Sequence, residues 1–242
     1  MKKSELKLKA KQINKESNPS VFVMGLIFFL VGSLLMMLAT SLKSPSFTVD
    51  NAQQIIDNYY KYIEAGQDQS ALDYLGKYMP SNINIIIASI LMFLKEVVQF
   101  GFIIFIINTV RATGAEYLNI LDGFSMFFKI LLMYILKSVF VTLAFLFLII
   151  PGPIVLYALR MSRYILLDNP EYGVMECFKQ SASMMKGHKW ELFCLDLSFI
   201  GWDFLASLLS PVQIYSAPYK QTTYVLYYQY LAGITDFSYA EI

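Results

Sequence analysis

The feature that most constrains this chain is an uncharged apolar run of 22 residues, Val21 to Leu42. A helix rises about 1.5 Å per residue, so a run of this length spans the roughly 30 Å hydrocarbon core of a bilayer. Because 57% of the 242 residues are hydrophobic and only 15% are charged, the composition indicates a membrane protein rather than a soluble domain. A cleaved signal peptide is the alternative for this run, which is longer than the apolar region of about 7–15 residues usual in such signals.

Further apolar segments predict that the chain crosses the bilayer about five times. The candidate spans after the first are 83–107, 124–150, 154–167 and 190–215. Pro151-Gly152-Pro153 cannot continue a regular helix, so it predicts a turn between the third and fourth spans. A Tyr-rich segment, 219–234, offers a sixth span as the alternative. The predicted fold class is an all-α polytopic membrane helix bundle with about five transmembrane helices, together with interfacial amphipathic helices.

The distribution of lysine and arginine predicts the orientation in the membrane. Residues 1–16 hold six lysines against two glutamates, so we expect this end in the cytoplasm. Residues 43–82 hold three lysines against five acidic residues, so we expect them outside. The chain is therefore predicted to be a multi-pass protein of the cell membrane. Its predicted parts are a basic cytoplasmic N-terminal segment, a first span, an extracytoplasmic loop, a helix bundle and a Tyr-rich C-terminal segment: 1–20, 21–42, 43–82, 83–215 and 216–242.

Two segments have the pattern of amphipathic helices outside the bilayer. In the outer loop, apolar residues recur at helical spacing from Ala52 to Ile63, and Gly66 ends the run. On the inner side, Asn169 and Pro170 suit the start of an interfacial helix over 170–187. We expect both helices to pack on the bundle, with contact to lipid, a ligand or a partner as the alternative.

Ionisable residues inside the predicted spans form a candidate charge network. Such residues cost a few kcal/mol each in a membrane, and they usually pair or line a cavity. The network comprises Glu96, Lys137, Arg160, Arg163, Asp196 and Asp203. Depth along the spans predicts the pairs Arg160–Asp203, Arg163–Asp196 and Lys137–Glu96. Two roles are open: the pairs hold the bundle together, or they line a path for ions or protons.

The composition excludes several classes of function. One histidine and two cysteines cannot form an HExxH site, a cysteine-based zinc site or a disulfide framework. A net charge of +1 gives no basic field for nucleic acid. No nucleophile with its base and no phosphate-cradling glycine loop is apparent. We therefore predict no catalytic, cofactor-binding or metal-binding residue, no cofactor, and no enzyme activity.

The second half of the chain carries a series of unusual motifs, in order from residue 149 to residue 231. They are Ile149-Ile150-Pro151-Gly152, Tyr164-Ile165-Leu166-Leu167-Asp168-Asn169-Pro170, Met184-Met185-Lys186-Gly187-His188-Lys189-Trp190-Glu191-Leu192-Phe193, Leu197-Ser198-Phe199-Ile200-Gly201-Trp202, Pro218-Tyr219, Thr223, Tyr227-Tyr228 and Leu231. Together they resemble the domain-of-unknown-function 975 family of bacterial integral membrane proteins. The resemblance implies a membrane protein without assigned catalytic residues. Pro153 and Arg160 depart from the family's pattern.

The resemblance draws attention to residues 184–202, which combine a helix end, a basic turn and a tryptophan anchor. The candidate contacts with a lipid headgroup or a partner are Lys186, His188, Lys189 and Trp190. An anchor that sets the membrane topology explains the same residues.

Three classes of function remain open from the sequence. The first is a non-catalytic protein that binds or stabilises a partner in a bacterial cell-envelope system. The second is a small transporter or channel that uses the buried charges. The third, an intramembrane enzyme, is disfavoured. The expected partners are the lipid bilayer and a membrane protein, with no nucleic acid, and the oligomeric state is open.

Overall fold

The structure is a computed structural model, and it describes residues 3–41, 49–78, 82–147 and 151–234. These residues form only helices, without a strand, which confirms the all-α fold class. In chain order the α-helices are α1 (Lys3–Glu16), α2 (Val21–Ser41), α3 (Val49–Glu64), α4 (Asp68–Gly76), α5 (Asn82–Arg111), α6 (Phe127–Phe147), α7 (Pro151–Ala158), α8 (Ser162–Asp168), α9 (Val174–Met184), α10 (Lys189–Leu197), α11 (Ile200–Leu208) and α12 (Val212–Leu231). A 3₁₀ helix, Tyr117–Met126, directly precedes α6.

Three helical segments of the described chain are long and apolar enough to cross a membrane, not the five or six predicted. They are Val21–Ser41, Ile83–Arg111 and Tyr117–Leu146. The predicted fourth span is divided into α7 and α8, and the fifth into α10 and α11. Each of these four helices has nine residues or fewer. At about 1.5 Å per residue, none alone reaches half the roughly 30 Å core of a bilayer, so the fourth and fifth predicted spans are not single continuous helices.

The Pro-Gly-Pro motif lies within the first turn of α7 and not in a turn between helices. Proline is tolerated there because the N–H groups of a first turn have no intrahelical partner. The linking residues 148–150 are outside the part of the chain that the structure describes. Because α7 packs against α6, the chain still folds back at the predicted place.

One compact unit comprises residues 1–31 and 96–242, and α12 forms much of its core. Twelve of the 20 residues of α12 are buried, including the polar Thr222 and Gln229. Helix α1 packs along α12, and the Thr222 hydroxyl donates a hydrogen bond of 2.7 Å to Asn14. The Tyr-rich C-terminal segment is therefore packed protein interior, and a sixth span stays a prediction.

A polar cluster fixes the end of α5 against α8 and α12 in the same unit. The Arg111 guanidinium donates two hydrogen bonds of 2.8 Å to the Asp168 carboxylate. The same carboxylate accepts a hydrogen bond of 2.8 Å from the Tyr228 hydroxyl. This fork-to-fork geometry is the strongest form of an arginine–carboxylate contact, so it ties three helices together at one point.

The second compact unit, residues 32–95, contains α3 and α4. Helix α3 has the predicted amphipathic pattern and ends two residues before Gly66, whose φ of +68° is a conformation that favours glycine. Helix α4 was not predicted; it packs back against α3, and Ile55 and Ala71 are buried. The loop predicted to lie outside the membrane therefore contains a helical hairpin.

The amphipathic helix predicted for the inner side is α9, which is shorter than the predicted range 170–187. It begins at Val174 because Asn169 caps the end of α8: its backbone N–H and its side-chain amide both bond the Ile165 carbonyl. The assignment of Asn169 as an N-cap is therefore wrong. Helix α9 packs on α6, α7 and α8, and its buried residues are Val174, Cys177, Phe178 and Ser181.

Candidate functional site

A cavity of about 350 Å³ lies within the larger unit. Its lining residues are Phe28, Gln99, Phe102, Ile103, Lys137, Arg160, Arg163, Tyr164, Ala217, Lys220, Gln221 and Tyr224. Three members of the predicted charge network, Lys137, Arg160 and Arg163, are among them. Lys220 adds a fourth cation, and no acidic side chain belongs to the lining. The cavity is therefore basic as well as aromatic.

Arg160 reaches this cavity from the break between α7 and α8. The buried Ser181 of α9 bridges the break: its hydroxyl accepts a hydrogen bond of 3.1 Å from the Met161 N–H and donates one of 2.7 Å to the Ala158 carbonyl. Both backbone groups would otherwise be left unpaired in a buried place, which is costly. The break is thus a supported feature of the fold.

Arg163 pairs with Glu96, at 3.1 Å between Nη2 and Oε2. This contact contradicts two predicted pairs, Arg163–Asp196 and Lys137–Glu96. In the described part of the chain, no hydrogen bond or ion pair of the Lys137 ammonium is observed. Depth along the helices placed these groups at similar levels, but the direction in which each helix face points decided the partners.

Asp203 pairs with Lys220 of α12, at 2.6 Å between Oδ2 and Nζ. The predicted pair Arg160–Asp203 is therefore wrong. That prediction treated 190–215 as one straight helix, whereas the chain is broken between α10 and α11 and then turns into α12. Helix α12 packs on α11 and brings its own lysine to Asp203.

Asp196 is held by two tyrosines instead of an arginine. The Tyr224 hydroxyl donates to Oδ1 at 2.5 Å, and the Tyr157 hydroxyl donates to Oδ2 at 3.0 Å. The Arg160 guanidinium lies 5.0 Å from the centroid of the Tyr224 ring, within the range of a cation–π contact. Within the described residues, Arg160 therefore has an aromatic neighbour but no carboxylate in salt-bridge contact.

The predicted interfacial residues lie apart from the cavity lining, at the start of α10. His188 Nδ1 is 2.8 Å from Glu191 Oε2, and this hydrogen bond lowers the pKa of the Glu191 carboxyl. Trp190 is 71% exposed and stacks on Phe193 with 5.0 Å between the ring centroids. Lys186 is exposed and Lys189 is half-buried. Lys186 and Trp190 are therefore the exposed basic and aromatic side chains of this turn.

Sequence reasoning missed Lys220, Tyr224 and Ser181. A usable signal existed for Lys220, because it is the only charged residue in the 20 residues of α12. The roles of Tyr224 and Ser181 had no local signal, because each depends on which helix packs opposite.

The polar groups that line the cavity are guanidinium, ammonium, phenol and amide groups, which donate hydrogen bonds to anions. In the ranges the structure describes, no group of three or more His, Cys, Asp or Glu side chains is placed to hold a metal ion. The chemistry that this arrangement supports is recognition of negative charge.

A comparison with curated proteins and with solved structures found no match to this chain. One family model matches residues 139–234, a range that contains Arg160, Arg163 and Lys220 but not Glu96 or Lys137. The resemblance found in the motifs between residues 149 and 231 is thereby confirmed: this segment of the chain is similar to the family described as protein of unknown function (DUF975).

Proposed function

We propose that this protein is an integral membrane protein that binds an anionic ligand in its basic cavity, without catalysing a reaction. The observation that carries the proposal is the lining itself, which has four cations and no acidic side chain. Two of these cations, Lys137 and Arg160, have no carboxylate within salt-bridge distance in the described residues. A bound anion would supply the missing negative charge.

The depth of the cavity supports a location inside the bilayer. Phe28 lies seven residues into α2, Lys137 lies ten residues into α6, and Gln99 lies twelve residues before the end of α5. At about 1.5 Å per residue these positions are about 10, 15 and 18 Å from the helix ends. The three residues belong to the three segments that are long and apolar enough to cross a membrane, Val21–Ser41, Ile83–Arg111 and Tyr117–Leu146. A core of roughly 30 Å would enclose all three lining residues.

A purely structural role for these charges fits the contacts less well. Buried cations that only hold a bundle together need partners, because an unpaired charge in a medium of low dielectric constant is costly. Arg163 and Lys220 have such partners in Glu96 and Asp203. In the described residues Lys137 and Arg160 have no such carboxylate partner, so a ligand better explains their positive charges in an apolar setting. Transport through these residues, the second class open from the sequence, stays a prediction.

Thermal unfolding in an uncharged detergent tests the proposal. The purified protein is titrated at constant ionic strength with inorganic phosphate, citrate, oleate, phosphatidylglycerol and a neutral diacylglycerol. We expect at least one anion to raise the unfolding temperature saturably, with no rise for the neutral lipid. Arg160→Gln and Lys137→Gln should remove that rise, whereas Lys179→Gln, at an exposed lysine of α9, should keep it. A protein that no anion stabilises would contradict the proposal.

We also propose that the protein lies in a bacterial cell membrane with its N-terminus in the cytoplasm. The support is that two basic segments of the larger unit contact the same group of helices. The Lys7 ammonium donates to the Ser198 carbonyl at 2.8 Å, and the Tyr227 hydroxyl donates to the His188 carbonyl at 3.3 Å. The basic N-terminal helix and the basic turn before α10 thus both contact the α10–α12 region. Reporter fusions after Lys189 and at the N-terminus should both report the cytoplasm, and an external signal from either would contradict this orientation.

Partner binding is a second candidate function, and one observation favours it. Trp190 is 71% exposed and Lys186, four residues earlier, is also exposed; exposed tryptophan is unusual outside interfaces with lipid or protein. Crosslinking in the native membrane, followed by mass spectrometry, should yield one partner at a fixed stoichiometry. Trp190→Ser should remove that species, whereas Leu208→Ser, at another exposed apolar position, should keep it. Recovery of the protein alone would contradict this second function.

A further inference from the structure

The backbone at Arg160 is interrupted within the segment 154–167, which the sequence predicts to be one continuous span. Residues 159–161 form a turn between α7 and α8, and Ser181 satisfies the backbone groups that the turn frees. Irregular backbone at membrane depth is tolerated only where it is buried in protein or lines a water-containing cavity. In transporters with broken helices, such interruptions form the sites for charged ligands. The interruption therefore marks the cavity as a place for a polar group.

The lining divides into two chemical kinds. The cationic and polar side chains come from α5, α6, the α7–α8 turn, α8 and α12, whereas an aromatic pair comes from α2 and α5. That pair is Phe28 and Phe102, stacked with 4.7 Å between ring centroids. Ile103 and Ala217 extend the apolar part. A ligand that matches both kinds of surface is an amphiphile with an anionic head.

The number and origin of the donors favour a phosphate over a carboxylate. A planar carboxylate is satisfied by the fork of one arginine, as Asp168 is by Arg111. A phosphate group presents its oxygens in several directions, so it can accept hydrogen bonds from groups on different helices. Lys137, Arg160 and Lys220 come from three separate helical elements around the cavity.

The size of the cavity agrees with a headgroup site. A volume of about 350 Å³ is near the lower end of the roughly 300–1,000 Å³ usual for small-molecule sites. We propose that the cavity binds the phosphate headgroup of an amphiphile, with the phosphate among Arg160, Lys137 and Lys220 and the start of the apolar tail against Phe28 and Phe102. This inference rests on the proposed function and specifies its ligand class.

Native mass spectrometry of delipidated protein in an uncharged detergent tests the ligand class. The probes are phosphatidylglycerol, phosphatidic acid, oleate, a neutral diacylglycerol and inorganic phosphate. We expect one phospholipid per protein, bound at least about tenfold more tightly than oleate, diacylglycerol or inorganic phosphate. Arg160→Gln and Lys137→Gln should weaken phospholipid binding about tenfold or more, and Lys179→Gln should leave it unchanged. Lys220→Gln provides the same test if the Arg160 variant does not fold.

The outcomes separate the ligand class from the proposed function. Inorganic phosphate bound as tightly as the phospholipids would show a soluble anion as ligand, and oleate bound equally would show that phosphate is not selected. Either result would overturn the inference and leave anion binding intact. Phospholipid binding that the Arg160, Lys137 and Lys220 variants all retain would place the lipid on the outer surface and overturn the inference. Binding of no anion would overturn both.

Discussion

Helices α6 and α12 have nearly the same length, 21 and 20 residues, but opposite surroundings. In the apolar segment that contains α6, only 11% of the most apolar stretch of 18 residues is buried within the protein. Phe128 and Leu146 of α6 are 82% and 76% exposed. Helix α12 carries serine, threonine, glutamine and lysine, yet twelve of its residues are buried. In this chain the apolar helix α6 is exposed on the protein surface, and the more polar helix α12 is buried in the protein core.

A lipid bilayer as the surrounding solvent explains why the apolar helix is exposed and the more polar helix is buried. A bilayer accepts leucine and phenylalanine as readily as a protein interior does, so burial of apolar side chains is not what selects the core. Polar side chains have the stronger reason to be enclosed, because lipid cannot hydrogen-bond them. The polar contacts of α12, such as Thr222–Asn14 and Tyr228–Asp168, are therefore satisfied within the protein. The basic cavity lies along the same helix.

Replacing a leucine by alanine in each of the two helices should give the largest difference in the free energy of unfolding. Leu226 of α12 is fully buried, whereas Leu143 of α6 is 45% exposed. We expect Leu226→Ala to lower the free energy of unfolding by about 3 kcal/mol, since it leaves a cavity among packed side chains. Leu143→Ala should cost less than about 1 kcal/mol, because lipid fills the vacated space. Unfolding in mixed micelles measures both, and equal losses would contradict the comparison.

Helix α2 approaches α12 closely at one glycine but has open space at another, so the same substitution at the two positions should differ in its effect on stability. A Cβ at Gly25 would lie 2.7 Å from the Ile214 carbonyl oxygen and from Pro218, whereas a Cβ at Gly32 would meet its nearest neighbour at 3.9 Å. Gly25→Val should therefore cost about 2 kcal/mol by overpacking, and Gly32→Val should be nearly neutral. The same unfolding measurement applies, and a tolerated Gly25→Val would show that α12 is not held against α2 as described.

The support of the broken helix should give a smaller effect. Ser181→Ala removes two hydrogen bonds at the α7–α8 break, so we expect a loss of about 1–2 kcal/mol and weaker anion binding. Ser183→Ala, on an exposed face of the same helix, should change neither quantity. If Ser181→Ala leaves the anion affinity unchanged, the α7–α8 break does not support the anion-binding cavity, contrary to this account.

The sequence predicted what depends on local pattern. The first three spans follow from long apolar runs, and α3 follows from helical spacing and Gly66. The interruption at 159–161 was not predicted from the sequence, because Arg160 and Arg163 were interpreted as parts of one continuous helix. The burial of α12 was missed for a related reason: its tyrosines suit either a membrane interface or a packed core.

The partners of the charged residues could not be predicted from depth alone. Arg160, Arg163, Asp196 and Asp203 were assigned to two facing helices, whereas breaks in both stretches rotate them apart. Three of the six network residues line one cavity, but the counter-charges and the fourth cation, Lys220, come from contacts between elements distant in sequence. Such contacts depend on tertiary packing and leave no local pattern.

An experimental structure of the protein in a lipid nanodisc is the most direct test of the central claim that the basic cavity holds an anion. We predict compact density within about 3 Å of the Arg160 and Lys137 side chains, continuing as an elongated feature past Phe28. A structure in which carboxylates of the chain pair directly with both cations and fill the cavity would contradict the account.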